Sequence, residues 1–238
     1  MLKAFIEKIE KMAGPKTFQI DGRSYSSEQL KRIDPPKYKP EVINVTGLDS
    51  ICKLVQHEAK AVGRKIFIRI AAYNRVSVFS TYDEQYERDY LYKCEADTPS
   101  VTVDRFMQYE RAVIELRSLY IPNEGSEYLL KLLGSITSES KVTSADNGVT
   151  QTVEAKSGIS LMQKVEIQPR VTLKPFRTFI EVEQPESEFL LRISGDGAIG
   201  LYEADGGVWK LEATRNVAAY FEKELQDLIK AGHVVVIR

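Results

Sequence analysis

The sequence predicts an α+β fold: antiparallel sheets, as an N-terminal meander and a C-terminal strand-rich block, with amphipathic helices packed on them. Three observations carry this. Apolar residues recur at period two in residues 66–70, 76–81 and 88–95, three runs joined by short links. They recur at helical spacing in residues 2–12, 47–62, 104–119 and 214–230. Most large apolar side chains of the C-terminal half, including the only Trp, fall in residues 165–225.

Taken in order, Leu2, Phe5, Ile6 and Ile9 share one face of a short amphipathic helix that Gly14-Pro15 ends. Residues 17–20 and 23–25 flank Asp21-Gly22, a pair that accepts the positive φ angles of a hairpin turn. Ser27 opens a helical turn to Ile33. Pro35, Pro36 and Pro40 favour an extended segment, because each lacks an amide donor and pushes its predecessor out of the helical region. Residues 1–40 therefore read as an N-terminal arm with a Pro-rich hinge. Residues 41–238 read as one α+β domain, with a subdivision near 134–148 as the alternative.

Residues 41–45 form a short strand. Leu48, Ile51, Cys52, Val55, Ala59 and Val62 make one helical stripe, stopped by Gly63, that covers a face of the meander. Asp104 starts a helix with Phe106, Tyr109, Val113, Leu116 and Leu119 inward; another runs from Ser126 to Leu133 and stops at Gly134. Strand spacing returns in residues 141–144, 149–155, 163–171, 180–182, 189–193, 198–202 and 208–212. Asn147-Gly148 and Asp205-Gly206-Gly207 supply hairpin turns, so Trp209 is expected on a hairpin strand, anchoring the core. The helix at 214–230 turns Val217, Tyr220, Phe221, Leu225, Leu228 and Ile229 inward. An apolar strand at 234–237 either joins this chain's sheet or extends a neighbour's.

At 238 residues the chain is long enough to bury a core without disulfide staples. Thirty-three basic residues nearly balance 34 acidic ones, which excludes a whole-chain basic field for nucleic acid. The charge is uneven, however. Up to residue 39, Lys3, Lys8, Lys11, Lys16, Arg23, Lys31, Arg32, Lys37 and Lys39 outnumber Glu7, Glu10, Asp21, Glu28 and Asp34. From 181 to 212, Glu181, Glu183, Glu186, Glu188, Asp196, Glu203, Asp205 and Glu212 face only Arg192 and Lys210. Such a split suits head-to-tail or lateral self-association, and equally two solvated faces. Cys52 and Cys94 lie far apart, which favours buried thiols in a reducing compartment. No apolar run is long enough for a signal peptide or a membrane span.

No stretch assembles catalytic chemistry, and no cofactor or metal is implied. Gly195-Asp196-Gly197-Ala198-Ile199-Gly200 matches a dinucleotide fingerprint as a string, but a strand and a turn follow it instead of a helix, so it reads as a hairpin. His57 and His233 lack the Ser or Cys neighbour that a triad needs and read as surface residues. Glu181, Glu183 and Glu186, with Asp196, Glu203 and Asp205, have no spacing that separates a cation site from a solvated acidic edge. Aromatic residues Phe67, Tyr73, Phe79, Tyr82, Tyr86, Tyr90 and Tyr92 alternate with Arg64, Lys65, Arg69, Arg75 and Arg88. That interleaving points to single-stranded nucleic acid, where bases stack on rings and cations follow the backbone. Asp83, Glu84, Glu87 and Asp89 offset the charge. The candidate contacts are Arg64, Lys65, Arg69, Tyr73 and Arg75. At Pro175-Phe176-Arg177-Thr178-Phe179 two readings stand: a corner with Phe176 and Phe179 inward and Arg177 paired to a glutamate, or a subunit contact through Phe176, Arg177 and Phe179.

The stretches PFRTFIEVEQPESEFLLRI and LYEADGGVWKLEATRNVAAYF, with VSVFS, FMQYERAVIELRSLYIP and VTQTVEAKSGI before them in the same order, resemble the YfdQ-like family of uncharacterised phage and prophage proteins. The resemblance covers about residues 41–225. It implies a phage-encoded protein in the cytoplasm of the bacterial host, and it carries no site residue over. The expectation is a non-enzymatic protein that self-assembles into a homo-oligomer. The alternative is a single-stranded DNA-binding accessory of phage replication or recombination. Its partners are itself, then single-stranded nucleic acid or a host protein, with no membrane. An enzyme using the acids near 181–205 has the least support.

Overall fold

A computed structural model describes residues 2–12, 14, 16–20, 23–26, 39–135, 151–157, 161–195 and 197–238. The expected helical turn at 27–33, most of the Pro-rich hinge, the strand at 141–144 and the turns at 21–22 and 147–148 lie outside the described residues. The chain divides into two units, Met1–Lys39 and Pro40–Arg238.

The first unit holds α1 (Leu2–Met12) and a hairpin of β1 (Thr17–Ile20) and β2 (Arg23–Ser26), where their periodicities place them. Among its described residues none is buried. Leu2, Phe5, Ile6 and Ile9 stand exposed along α1, and Phe18, Ile20 and Tyr25 are exposed on the hairpin.

The second unit is an α+β fold around two cores. Its elements are β3 (Ile43–Val45), α2 (Leu48–Val62), β4 (Ile66–Ala72), β5 (Arg75–Ser80), β6 (Tyr90–Glu95), β7 (Arg105–Met107), α3 (Tyr109–Ser118), α4 (Glu124–Ser135), β8 (Gln151–Ser157), β9 (Leu161–Ile167), β10 (Arg170–Leu173), β11 (Ser187–Ile193), β12 (Ile199–Glu203), α5 (Trp209–Glu224), α6 (Gln226–Lys230) and β13 (Val234–Ile237). A five-stranded sheet, β13-β4-β5-β6-β3, contains the expected meander at its centre. Both flanking strands run parallel to their neighbours, so this sheet is mixed and not antiparallel throughout. The strand at 234–237 joins this chain's own sheet beside β4. Alternation along β4 sends Ile66, Ile68 and Ile70 inward against Leu48, Ile51 and Val55 of α2 and Val217 and Phe221 of α5. The four-stranded second sheet, β10-β11-β12-β7, packs on α3 and α4, with Leu116, Leu129, Leu133, Phe189 and Leu191 in its core. Gly125 of α4 lies so close to β10 that a Cβ there would come within 2.1 Å of the Thr172 carbonyl oxygen.

Five expectations change. Residues 105–107 are strand, because Asp104 adopts a left-handed φ of 59° and its N–H bonds to Leu201 O, turning the chain onto β12; the helix starts only at Tyr109. The run at 163–171 is two strands interrupted at Gln168-Pro169, where Pro169 has no N–H for a ladder. Residues 180–182 form a turn in which Gln184 replaces a partner strand: its Oε1 accepts the N–H groups of Arg177 (2.9 Å) and Thr178 (3.1 Å), and its Nε2 donates to Phe179 O (2.8 Å). Residues 209–212 are helix. Gly206 and Gly207 take φ of 63° and 81°, Asp205 Oδ1 accepts the Gly207 N–H at 2.9 Å, and the chain launches α5 instead of a second hairpin strand. The helix expected at 214–230 is two, α5 and α6, parted at Leu225.

Candidate functional site

The helices cover one face of the five-stranded sheet, and the outward side chains of the other face fall into cross-strand lines. Register places Val235, Phe67, Phe79 and Tyr90 side by side across β13, β4, β5 and β6. Two residues further along the strands, about 6.7 Å away, a second line runs Ile237, Arg69, Ser77, Lys93 and Asn44 across all five strands. Arg75 and Glu95 pair beyond it. The first line is aromatic: Phe67 and Phe79 stack with centroids 5.8 Å apart, and Phe79 meets Tyr90 at 5.5 Å. The guanidinium of Arg88 lies 5.3 Å from the Phe67 centroid, 5.0 Å from Phe79 and 4.0 Å from Tyr82. The second line is polar and cationic, with Arg69, Lys93 and Asn44 exposed. A cleft of about 600 Å³ opens beside it, lined by Asn44, Thr46, Arg75, Ser77 and Lys93 among others.

Of the five residues expected to contact nucleic acid, Arg69 and Arg75 stand exposed on this face, and Lys65 is exposed just before β4. The other two serve the fold. Arg64 pairs with Asp89 and donates to Thr81 O at 3.3 Å. Tyr73 packs edge-on against Trp209 at 4.8 Å, and its carbonyl accepts the Thr178 hydroxyl. Sequence reasoning missed Lys93, Ser77 and Asn44, which need the strand pairings to be found. A register shift between Val78 and Phe79 also splits the tyrosines: Tyr90 faces out, while Tyr92 is buried with its hydroxyl donating to Glu58 of α2. Two of the four acids that offset the charge also serve the fold, while Glu84 and Glu87 stand exposed. Asp89 holds Arg64, and Asp83 Oδ1 accepts the N–H groups of Gln85 and Glu87 at 2.8 and 2.9 Å.

At the corner 175–179 the side chains of Phe179 and Arg177 are interior, at 1 % and 9 % exposed, as the corner reading has them. Phe176 is half-buried. Arg177 donates to Glu203 at 2.5 Å and to Ser187, which donates in turn to Asp205 at 2.9 Å. Its guanidinium lies 3.9 Å from the Trp209 ring centroid. Burial draws the Arg177 pKa down, against the pull of Glu203 and Asp205; a guanidinium still keeps its charge. The neighbouring acids are equally committed. Glu181 Oε1 accepts the Leu48 N–H at 2.7 Å and so caps α2 from across the chain, and Glu183 pairs with Lys174 at 2.7 Å.

Among the described residues, no three His, Cys, Asp or Glu side chains gather as a metal site, and no helix is long and apolar enough to cross a membrane. His57 and His233 are exposed. Burial, with Glu224 nearby, pushes the Cys52 thiol up to about 12, and burial with Glu181 nearby does the same for Cys94. Neither thiol is poised as a nucleophile at neutral pH. The fold is α+β, and Arg69, Arg75 and Lys93 stand exposed on the sheet face away from the helices, with Phe79 buried there under Arg88. The chain matches no family model, no curated protein and no solved structure.

Proposed function

We propose that this is a non-enzymatic binding protein of phage or prophage origin that holds single-stranded nucleic acid on the open face of its five-stranded sheet, in the bacterial cytoplasm. The observation that carries the reading is the pair of adjacent lines, one of rings and one of cations, on the sheet face opposite the helices. Arg69, Lys93 and Arg75 meet phosphates, and Tyr90 and Phe67 offer ring faces to unstacked bases, which stack with little regard to sequence. A duplex keeps its bases stacked and cannot use the ring line. The resemblance of residues 41–225 to YfdQ-like phage proteins supports the origin.

The test is fluorescence anisotropy with a labelled single-stranded oligonucleotide over a salt series. Arg69→Ala with Lys93→Ala removes two phosphate contacts and lowers the slope of log K against log salt by about 1.4. Tyr90→Ala costs about 1–3 kcal/mol of binding. No binding at low salt, or binding unchanged in the double variant, refutes the reading.

A further inference from the structure

The geometry points to a guanine pocket in the cleft of about 600 Å³ on the five-stranded sheet, an inference that rests on the single-strand reading of that face and names the base it prefers. The cleft follows from unequal side-chain reach. Among its lining residues Ala71 and Ser77 are short, while Arg75, Lys93 and Glu95 are long and exposed, which leaves a hollow between them. Its volume falls in the range of about 300–1,000 Å³ that small-molecule sites span.

Glu95 is the informative lining residue. A carboxylate repels phosphate, so a face that held only a backbone would gain nothing from one. Register sets Glu95 directly across from Arg75, and Lys93 lies two residues before it on the same side of β6. Among the described residues the side chains of Arg75, Lys93 and Glu95 make no hydrogen bond and no ion pair, so all three are open to a ligand. A carboxylate beside a cation matches guanine better than the other bases. The N1–H and N2–H groups of guanine both donate to one carboxylate, and its O6 and N7 accept from Arg75 or Lys93. Cytosine and adenine offer the carboxylate one amino group. Thymine and uracil offer a single N–H between two carbonyl oxygens, which the carboxylate repels. Asn44, across from Lys93 on β3, carries both a donor and an acceptor for the sugar or phosphate. Rings and cations thus hold any strand, and Glu95 adds a hold on guanine.

The test is fluorescence anisotropy on the full chain with two labelled single strands of equal length. One is all thymidine; the other carries guanine at every third position, spaced so that the guanines do not associate. The guanine-bearing strand binds at least about fivefold tighter, the lower end for a well-aligned bidentate pair. In Glu95→Gln that ratio falls below about twofold, because the amide keeps one acceptor oxygen and its NH2 opposes the guanine donors. The thymidine strand binds more tightly to the same variant, since a repelling charge is gone. Equal binding of the two strands by the parent protein overturns the pocket and leaves the single-strand reading standing. A ratio that Glu95→Gln leaves unchanged also overturns it, because a carboxylate acting by charge alone affects both strands alike. Guanosine 5′-monophosphate is the third probe and separates a free nucleotide from a guanine in a strand: it binds more weakly than the guanine-bearing strand. Mononucleotide binding that Glu95→Gln abolishes, with neither strand bound, keeps the pocket and refutes the single-strand reading.

Discussion

Trp209→Ala removes a buried ring on which a cation and a second ring are packed. The indole opens α5, is 4 % exposed, and lies between the Arg177 guanidinium, 3.9 Å from its centroid, and the ring of Tyr73, 4.8 Å away. Truncating a buried Trp costs about 3–5 kcal/mol. The upper half of that range applies, because a desolvated cation–π contact of about 2 kcal/mol is lost with it and Arg177 is left buried without its ring. At about 2–4 °C per kcal/mol for a domain of this size, melting falls by roughly 8–20 °C. Urea unfolding followed by circular dichroism measures it, since Trp209 is the only tryptophan and its fluorescence vanishes with it. The indole N–H finds no hydrogen-bond partner, so Trp209→Phe sacrifices no hydrogen bond and costs under about 2 kcal/mol. A loss below about 1 kcal/mol for Trp209→Ala would refute the argument that this ring anchors the unit.

Two further substitutions test other parts of the fold. Gly125→Ala drives a Cβ to within 2.1 Å of Thr172 O, forces α4 off β10, and costs about 3 kcal/mol or more in urea unfolding; a melting temperature within about 2 °C of the parent's would show that the helix shifts freely. Glu115 is buried, which alone raises its pKa, but hydrogen bonds from Thr102 N–H (2.9 Å), Thr102 Oγ1 (2.7 Å) and Arg111 Nε (2.6 Å) outweigh burial and hold it below its ordinary 4.5. A carboxylate with a depressed folded pKa stabilises above its unfolded value and loses that stability as pH falls through the folded one. Glu115→Gln therefore melts lower at neutral pH and shows a shallower fall in melting temperature on acidification below 4.5; parallel curves would refute the assignment.

Much of the architecture could be read from periodicity because burial imposes it directly. Ile66, Ile68 and Ile70 alternate since one face of β4 is covered, and the α2 stripe repeats since one side of that helix meets the sheet. What could not be read depends on partners distant in sequence. Nothing local announces that Val234 pairs with Ile66, or Ile43 with Tyr92. Nor does anything local show that a Gln184 side chain closes the turn where the spacing of Ile180 and Val182 reads as strand. Asp-Gly reads as a hairpin turn and so puts Trp209 on a strand, although Trp209, Ala213, Val217 and Phe221 repeat every fourth residue into the core. On the candidate face, alternation along β4 exposes Arg69. Lys93 and Asn44 join it only through pairing, and the side of β6 on which Tyr90 and Lys93 lie depends on a register shift that no composition signals.

The pairing of β13 with β4 also constrains how the protein is made. During synthesis the meander is complete long before residues 234–237 emerge, so β4 waits with one row of backbone amides and carbonyls unpaired beside Ile66, Ile68 and Ile70. Such an edge recruits any extended chain nearby. The nascent protein is therefore most vulnerable to tangling with its neighbours on the same polysome, and the arrival of Val234–Ile237 converts an adhesive intermediate into a sheet with its register locked.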